Sequence, residues 1–152
     1  MTQSPTSQLN HPGPTRPTRP TRLCSPKILV VEDEVLLRFS LSEDLQECGF
    51  DVVASGSADE AVEIIRHGLG DIDLVFSDIA MPGVMDGVAL AQWIHEYRPG
   101  LPVILTSGDE KRGASARQLC GRELFFPKPY DLHKVVAQIR AMLMARPHRR
   151  SN

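Results

Sequence analysis

An alternation repeated five times constrains this chain more than any other feature. Five short apolar runs, rich in β-branched and aromatic residues, are each followed by a segment with helical periodicity. The runs are Lys27–Val31 (KILVV), FDVVAS at 50–55, DLVFS at 73–77, PVILTS at 102–107 and ELFF at 123–126. After the first, Leu37, Leu41 and Leu45 recur every fourth residue, which predicts a helix from Glu34 to about Cys48, ended by Gly49. Ser57 with Glu60 three residues on predicts a capped helix running to about His67, with Ala61, Ile64 and Ile65 inward. Asp86 is placed to cap a helix over Gly87 to Tyr97, and a less regular helix follows near Lys111–Leu119, stopped by Gly121. The last helix spans about Asp131 to Leu143, with Leu132, Val135, Val136, Ile139 and Leu143 on one stripe. Strands that are apolar throughout and alternate with helices belong to a parallel sheet covered on both faces. Right-handed crossovers then make the fold an open, doubly wound five-stranded α/β sheet. In such sheets ligands bind at the carboxyl ends of the strands.

Those ends carry an unusual set of side chains. Glu32 and Asp33 follow the first strand, Asp78 the third, Thr106 ends the fourth, and Lys128 follows the fifth. Any one of them could be a solvated turn residue. Together they bring three carboxylates, a hydroxyl and an ammonium to one edge of one sheet. Clustered carboxylates repel, and a hard divalent cation such as Mg²⁺ relieves that repulsion. A carboxylate beside such a cation can attack phosphorus and form an aspartyl phosphate. Phosphoryl transfer needs chiefly positioning and charge neutralisation, which the cation and a lysine supply. The set therefore points to a phospho-accepting site.

The segments ILVVEDE, DLVFSDIAMPG, PVILTSG and FFPKPY resemble, in order and spacing, the receiver domain of two-component response regulators, over about residues 26–145. The resemblance implies the flavodoxin-like (βα)5 fold with strand order 2-1-3-4-5. It implies that Asp78 is the phosphoacceptor and shares Mg²⁺ with Asp33, a direct ligand, and Glu32, which acts through water, and that the backbone carbonyl of Ala80 is a further ligand. Thr106 matches the switch hydroxyl, Lys128 the lysine that pairs with the phosphoryl oxygens, and Phe125 the aromatic that moves with the threonine. The peptide bond after Lys128 is expected to be cis, at Pro129. The implied role is a cytoplasmic signalling phosphoacceptor that catalyses only its own phosphorylation and dephosphorylation. Its donor is a sensor histidine kinase or a histidine phosphotransfer protein. Its target docks at the face of helix 4, strand 5 and helix 5, or the phosphoryl group is passed on. A phosphorylation-dependent homodimer is a further expectation, and no output domain is expected. The alternative is a pseudo-receiver that binds protein without phosphorylation.

Two departures from the family pattern stand out. The loop MPGVMDG is one residue longer than its commonest form, which should change the turn and leave the metal site intact. Pro127 lacks an N–H, so strand 5 must end there or lie at a sheet edge. Ala80 offers neither acid nor amide to orient a hydrolytic water, which predicts a long-lived phosphoryl group.

The remaining sequence narrows the alternatives. No GxGxxG follows the first strand, which removes the dinucleotide-binding reading, and Ala80 stands where a strand-end aspartyl phosphatase needs a second acid. Residues 27–145 hold 11 basic and 19 acidic residues, a net charge of −8, which argues against a nucleic-acid-binding core. No apolar run approaches the length of a membrane span or forms a secretory signal. Cys24, Cys48 and Cys120 show no metal spacing and read as reduced thiols. His67, His95 and His133 share no spacing with one another and are expected at the surface, and Trp93 and Tyr97 are expected to pack together. Residues 1–25, with PTRPTRPTR, read as a disordered extension, with a polyproline II docking peptide as the alternative, and 146–152 as a basic tail.

Overall fold

A computed structural model describes residues 25–68, 71–120 and 124–146. The tail readings for 1–24 and 147–152, and the stop signal at Gly121, lie outside the described residues. The observed elements are β1 (Lys27–Val31), α1 (Val35–Glu47), β2 (Asp51–Ser55), α2 (Ala58–His67), β3 (Leu74–Asp78), α3 (Gly87–Tyr97), β4 (Val103–Ser107), α4 (Glu110–Cys120), β5 (Leu124–Pro127) and α5 (Leu132–Met144). All pairings are parallel, and the strand order is β2-β1-β3-β4-β5.

Strand side chains alternate between faces, so each strand contributes to two cores. Leu29, Val31, Val75, Val103 and Leu105 pack with Ala61 and Ile65 of α2, Leu90 and Ile94 of α3, and Ala116 of α4. Ile28, Val30, Leu74, Phe76 and Ile104 pack on the other face with Leu41 and Leu45 of α1 and with Val135 and Ile139 of α5. Two filled faces explain why β3 and β4 are buried at every position, and why their sequences are apolar without a polar alternation.

Local chemistry sets the element boundaries. The Ser57 hydroxyl accepts from Glu60 N–H at 3.1 Å, as the capping signal predicts. The Glu60 carboxylate accepts from Gly56 N–H rather than from Ser57, whose N–H goes to the Ser55 hydroxyl. Asp86 caps α3 through Ala89 N–H, and Asp131 caps α5 through His133 N–H. Gly49 (φ 91°) and Gly68 (φ 60°) adopt the left-handed conformation that ends α1 and α2.

Three expectations need adjustment. Leu37 is 44% exposed, because it sits in the first turn of α1, where the strands that would cover it have ended. α4 runs one residue further at each end than its weak periodicity indicated. Strand β5, described over Leu124–Pro127, extends one residue past Phe126 to include Pro127, and Glu123 lies outside the described residues. It is the sheet's outer strand, the position where a residue without an N–H is tolerated.

Gly87 joins the site-bearing strand to α3. Its N–H donates to the Ile79 carbonyl at 3.1 Å, and a Cβ there would overlap the Asp78 carbonyl. Gly87→Ala is therefore expected to destabilise the fold by about 1–3 kcal/mol, the usual cost of forcing extra volume into packed structure. Gly100→Ala, in open space, should leave the midpoint nearly unchanged. Urea denaturation of both variants checks this.

Candidate functional site

The register of the sheet lines up the polar strand ends. Val31 sits across from Ser77, and Asp78 across from Thr106, so Glu32, Asp78 and Thr106 share one level at the carboxyl edge. Asp33 is carried by the turn into α1. Lys128 follows the end of β5, with its N–H donating to the Ser107 carbonyl at 2.8 Å. The peptide bond from Lys128 to Pro129 is cis.

The side chains converge as the strand-end pattern predicts. Ligand oxygens of Glu32, Asp33 and Asp78 all lie within 4.8 Å of one another, the spacing at which one divalent cation can be shared. Lys128 Nζ reaches into this cluster. It donates to Asp78 Oδ2 at 2.8 Å and to Glu32 Oε2 at 3.0 Å. The lysine thus bridges the two acids, a contact the sequence reading did not anticipate when it paired Lys128 with phosphoryl oxygens. Asp78 Oδ1 accepts from Ala80 N–H at 3.0 Å, and Glu32 Oε1 from Glu34 N–H at 3.2 Å. Asp78 is thus 7% exposed and Glu32 5%, and both are held by charge-assisted hydrogen bonds.

Burial leaves its mark on protonation. Desolvation raises the Glu32 pKa above its ordinary 4.5, although the Lys128 and Glu34 hydrogen bonds act to lower it. Burial alone would lower the Lys128 pKa, but its bonds to Asp78 and Glu32 more than offset this and raise it. Thr106, 1% exposed, has a hydroxyl without a hydrogen-bond partner among the described residues. A buried orphan hydroxyl costs free energy, and such a group at a ligand edge marks where an oxygen acceptor fits.

Phe125 packs along α4. A Cβ on Gly113 would overlap its ring, and the Arg117 guanidinium lies 4.8 Å from the ring centroid. Glu110, Ala114, Arg117, Phe125 and Pro127 line a cleft of about 260 Å³ beside it. The sequence reading missed Gly113 and Arg117 as neighbours of Phe125. Their spacing of four on one helix was the available signal. The longer loop absorbs its extra residue in a turn with Gly83 at φ 127° and Val84 fully exposed, and leaves the acidic cluster intact. His67, His95 and His133 are exposed, and Trp93 stacks on Tyr97 at 5.3 Å, as expected. Cys48 is a free thiol. Among the described residues no helix is long and apolar enough to cross a membrane.

A carboxyl group whose folded pKa lies above its unfolded value stabilises the fold at low pH and costs stability once pH rises through that range. At pH 7 the Glu32 charge is therefore a net cost that a bound cation would relieve. Glu32→Gln is expected to raise the melting temperature in EDTA by a few degrees. It should also reduce any further rise on adding millimolar Mg²⁺, which is expected in the wild type if the cluster binds the cation. Differential scanning fluorimetry at pH 7 reads both effects.

Comparison with known proteins agrees with this geometry. Residues 28–140 match the family model described as response regulator receiver domain. Sensor kinase CckA of Brucella abortus is 35% identical over 78% of the chain, and transcriptional regulatory protein PdtaR of Mycobacterium tuberculosis 32% identical over 74%. The chain spans 13% of the first and about half (54%) of the second. A response regulator receiver protein from Sinorhizobium medicae superposes with TM-score 0.72 at 27% identity, covering 81% of this chain and 98% of that one. The response regulator TrrA of Thermotoga maritima, solved with Mg²⁺ and BeF, superposes with TM-score 0.69 at 25% identity, covering 77% of this chain and 98% of that one. With its strand order, its acidic cluster and a family match over most of its length, the chain belongs to the response regulator receiver domain family of two-component systems.

Proposed function

We propose that Asp78 accepts a phosphoryl group from a phosphohistidine donor in a Mg²⁺-dependent reaction. The donor is a sensor histidine kinase or a histidine phosphotransfer protein. The observation that supports this most is the bridge of Lys128 between Asp78 and Glu32, with Asp33 within metal-sharing distance. Three carboxylates and one ammonium at the carboxyl edge of a packed sheet do not stabilise a fold as well as apolar groups would. They suit a site that handles phosphate. A protein that only binds partners has no use for this set.

Asp33 would bind Mg²⁺ directly, Glu32 through water, and Asp78 with the Ala80 carbonyl would complete the protein ligands. The metal supplies positive charge to the phosphoryl oxygens during transfer. Both Asp78 oxygens hold one donor, Ala80 N–H on Oδ1 and Lys128 on Oδ2, and the attacking oxygen uses a lone pair that its donor leaves free. As that oxygen bonds to phosphorus, the phosphorus–nitrogen bond breaks and its electron pair leaves with the imidazole. Lys128 then follows the negative charge onto the phosphoryl group. The partnerless Thr106 hydroxyl donates to a phosphoryl oxygen and so gains the hydrogen bond it lacks. Its movement frees space near Phe125, which changes the α4–β5–α5 face that a target reads. The chain acts as a signalling phosphoacceptor whose catalysis is confined to its own phosphorylation and dephosphorylation, in the cytoplasm, with partner binding, dimerisation or relay as output.

Acetyl phosphate with Mg²⁺ is expected to add one phosphoryl group to the wild type, read by intact mass and by Phos-tag mobility. Asp78→Asn should abolish the addition, and EDTA should suppress it. If Asp78→Asn were modified as readily as wild type, the assignment would fail. The phosphoryl group should persist for minutes or longer in the isolated chain, because Ala80 offers no group to orient water. Ala80→Asn should shorten that lifetime, measured by loss of label after donor removal.

A further inference from the structure

The three acids of the site are not held equally. Lys128 and a backbone N–H hold each of Glu32 and Asp78. Among the described residues, no hydrogen bond or ion pair to the Asp33 carboxylate is present. Its place is set by the backbone of the β1–α1 turn alone. That turn also lacks a side-chain cap, since Glu34 at the N-cap position bonds none of the α1 amides. One side chain does grip it. Arg38 Nη1 donates to the Glu32 carbonyl at 2.7 Å and approaches the Asp33 carbonyl at 3.4 Å. The guanidinium is half-buried and lies against Gly56 in the β2–α2 turn, where a Cβ would stand 3.2 Å from Nη1. Gly56 N–H is in turn held by Glu60 at 2.8 Å.

We propose that Arg38 is a positioning residue for the metal site: it clamps the Glu32 and Asp33 carbonyls so that the Asp33 carboxylate stands ready as a ligand. This rests on the Mg²⁺-dependent reading of the site. Toward a bound cation the Arg38 charge is a cost, because it repels the cation. Its value lies in the backbone geometry it holds, as outer partners of metal ligands do. Charge and geometry therefore predict opposite signs, which makes the inference testable.

Isothermal titration of Mg²⁺ into the full chain separates them. Arg38→Met should weaken Mg²⁺ binding by about tenfold, in the range typical for lost outer-shell partners. Arg38→Lys keeps the charge with a shorter reach and should recover only part of the loss. Gly56→Ala, which presses on the guanidinium, should weaken binding slightly. Melting temperatures in EDTA should stay within a few degrees of wild type for all three. Tighter or equal binding by Arg38→Met would overturn the inference. So would an affinity loss matched in every variant by loss of the metal-free fold. Wild-type binding with unchanged variants removes this inference alone, whereas no wild-type binding removes the metal reading and this inference with it.

Discussion

The bridge from Lys128 to Glu32 and Asp78 is the interaction on which the site depends. It joins the ends of three strands, two of which, β1 and β5, are separated by β3 and β4 in the sheet. Its geometry exists only if every register between them is right, since a slip of one residue would turn each strand end to the other face. The bridge also makes the buried acids tolerable. Removing two carboxylates from water costs several kcal/mol unless they are paired, and one ammonium serves both. The remaining penalty, visible in the raised Glu32 pKa, is stored where a cation can relieve it.

The double-sided core explains how so polar an edge survives. Both faces of the sheet are packed, so the strands are rigid to their last residues and present side chains at defined heights. The helices add their own constraints. Gly87 lets α3 start in backbone contact with the end of β3, and Gly113 lets the Phe125 ring lie on α4. Asp78 and Phe125 thus both lie against glycine positions at which a helix approaches closely.

Much of this was legible in the residue order. The strand ends came out within about one residue because apolar β-branched runs bounded by polar residues have little alternative. The caps Ser57 and Asp86 were legible because capping chemistry is local, whereas Asp131, read as the first helical residue, proved to be the cap of α5. The exposure of Leu37 was not, because helical periodicity reports a face but not whether anything covers that face at a given height. The Glu60 contact with Gly56 differs from the expected reciprocal box because the Ser55 hydroxyl had already taken the Ser57 amide.

By itself the sequence determined the five β-α units, the parallel sheet, and which polar residues stand at its carboxyl edge. These follow from short-range physics: side-chain period, capping and the apolar character of strands buried on both sides. Only the tertiary structure decided that Lys128 already bridges Asp78 and Glu32, that Asp33 is left to its backbone, and that Thr106 lacks a partner. These contacts link residues 50 and 96 positions apart, and their geometry depends on register and twist accumulated across the whole sheet. No local spacing encodes whether an ammonium three strands away will reach a carboxylate.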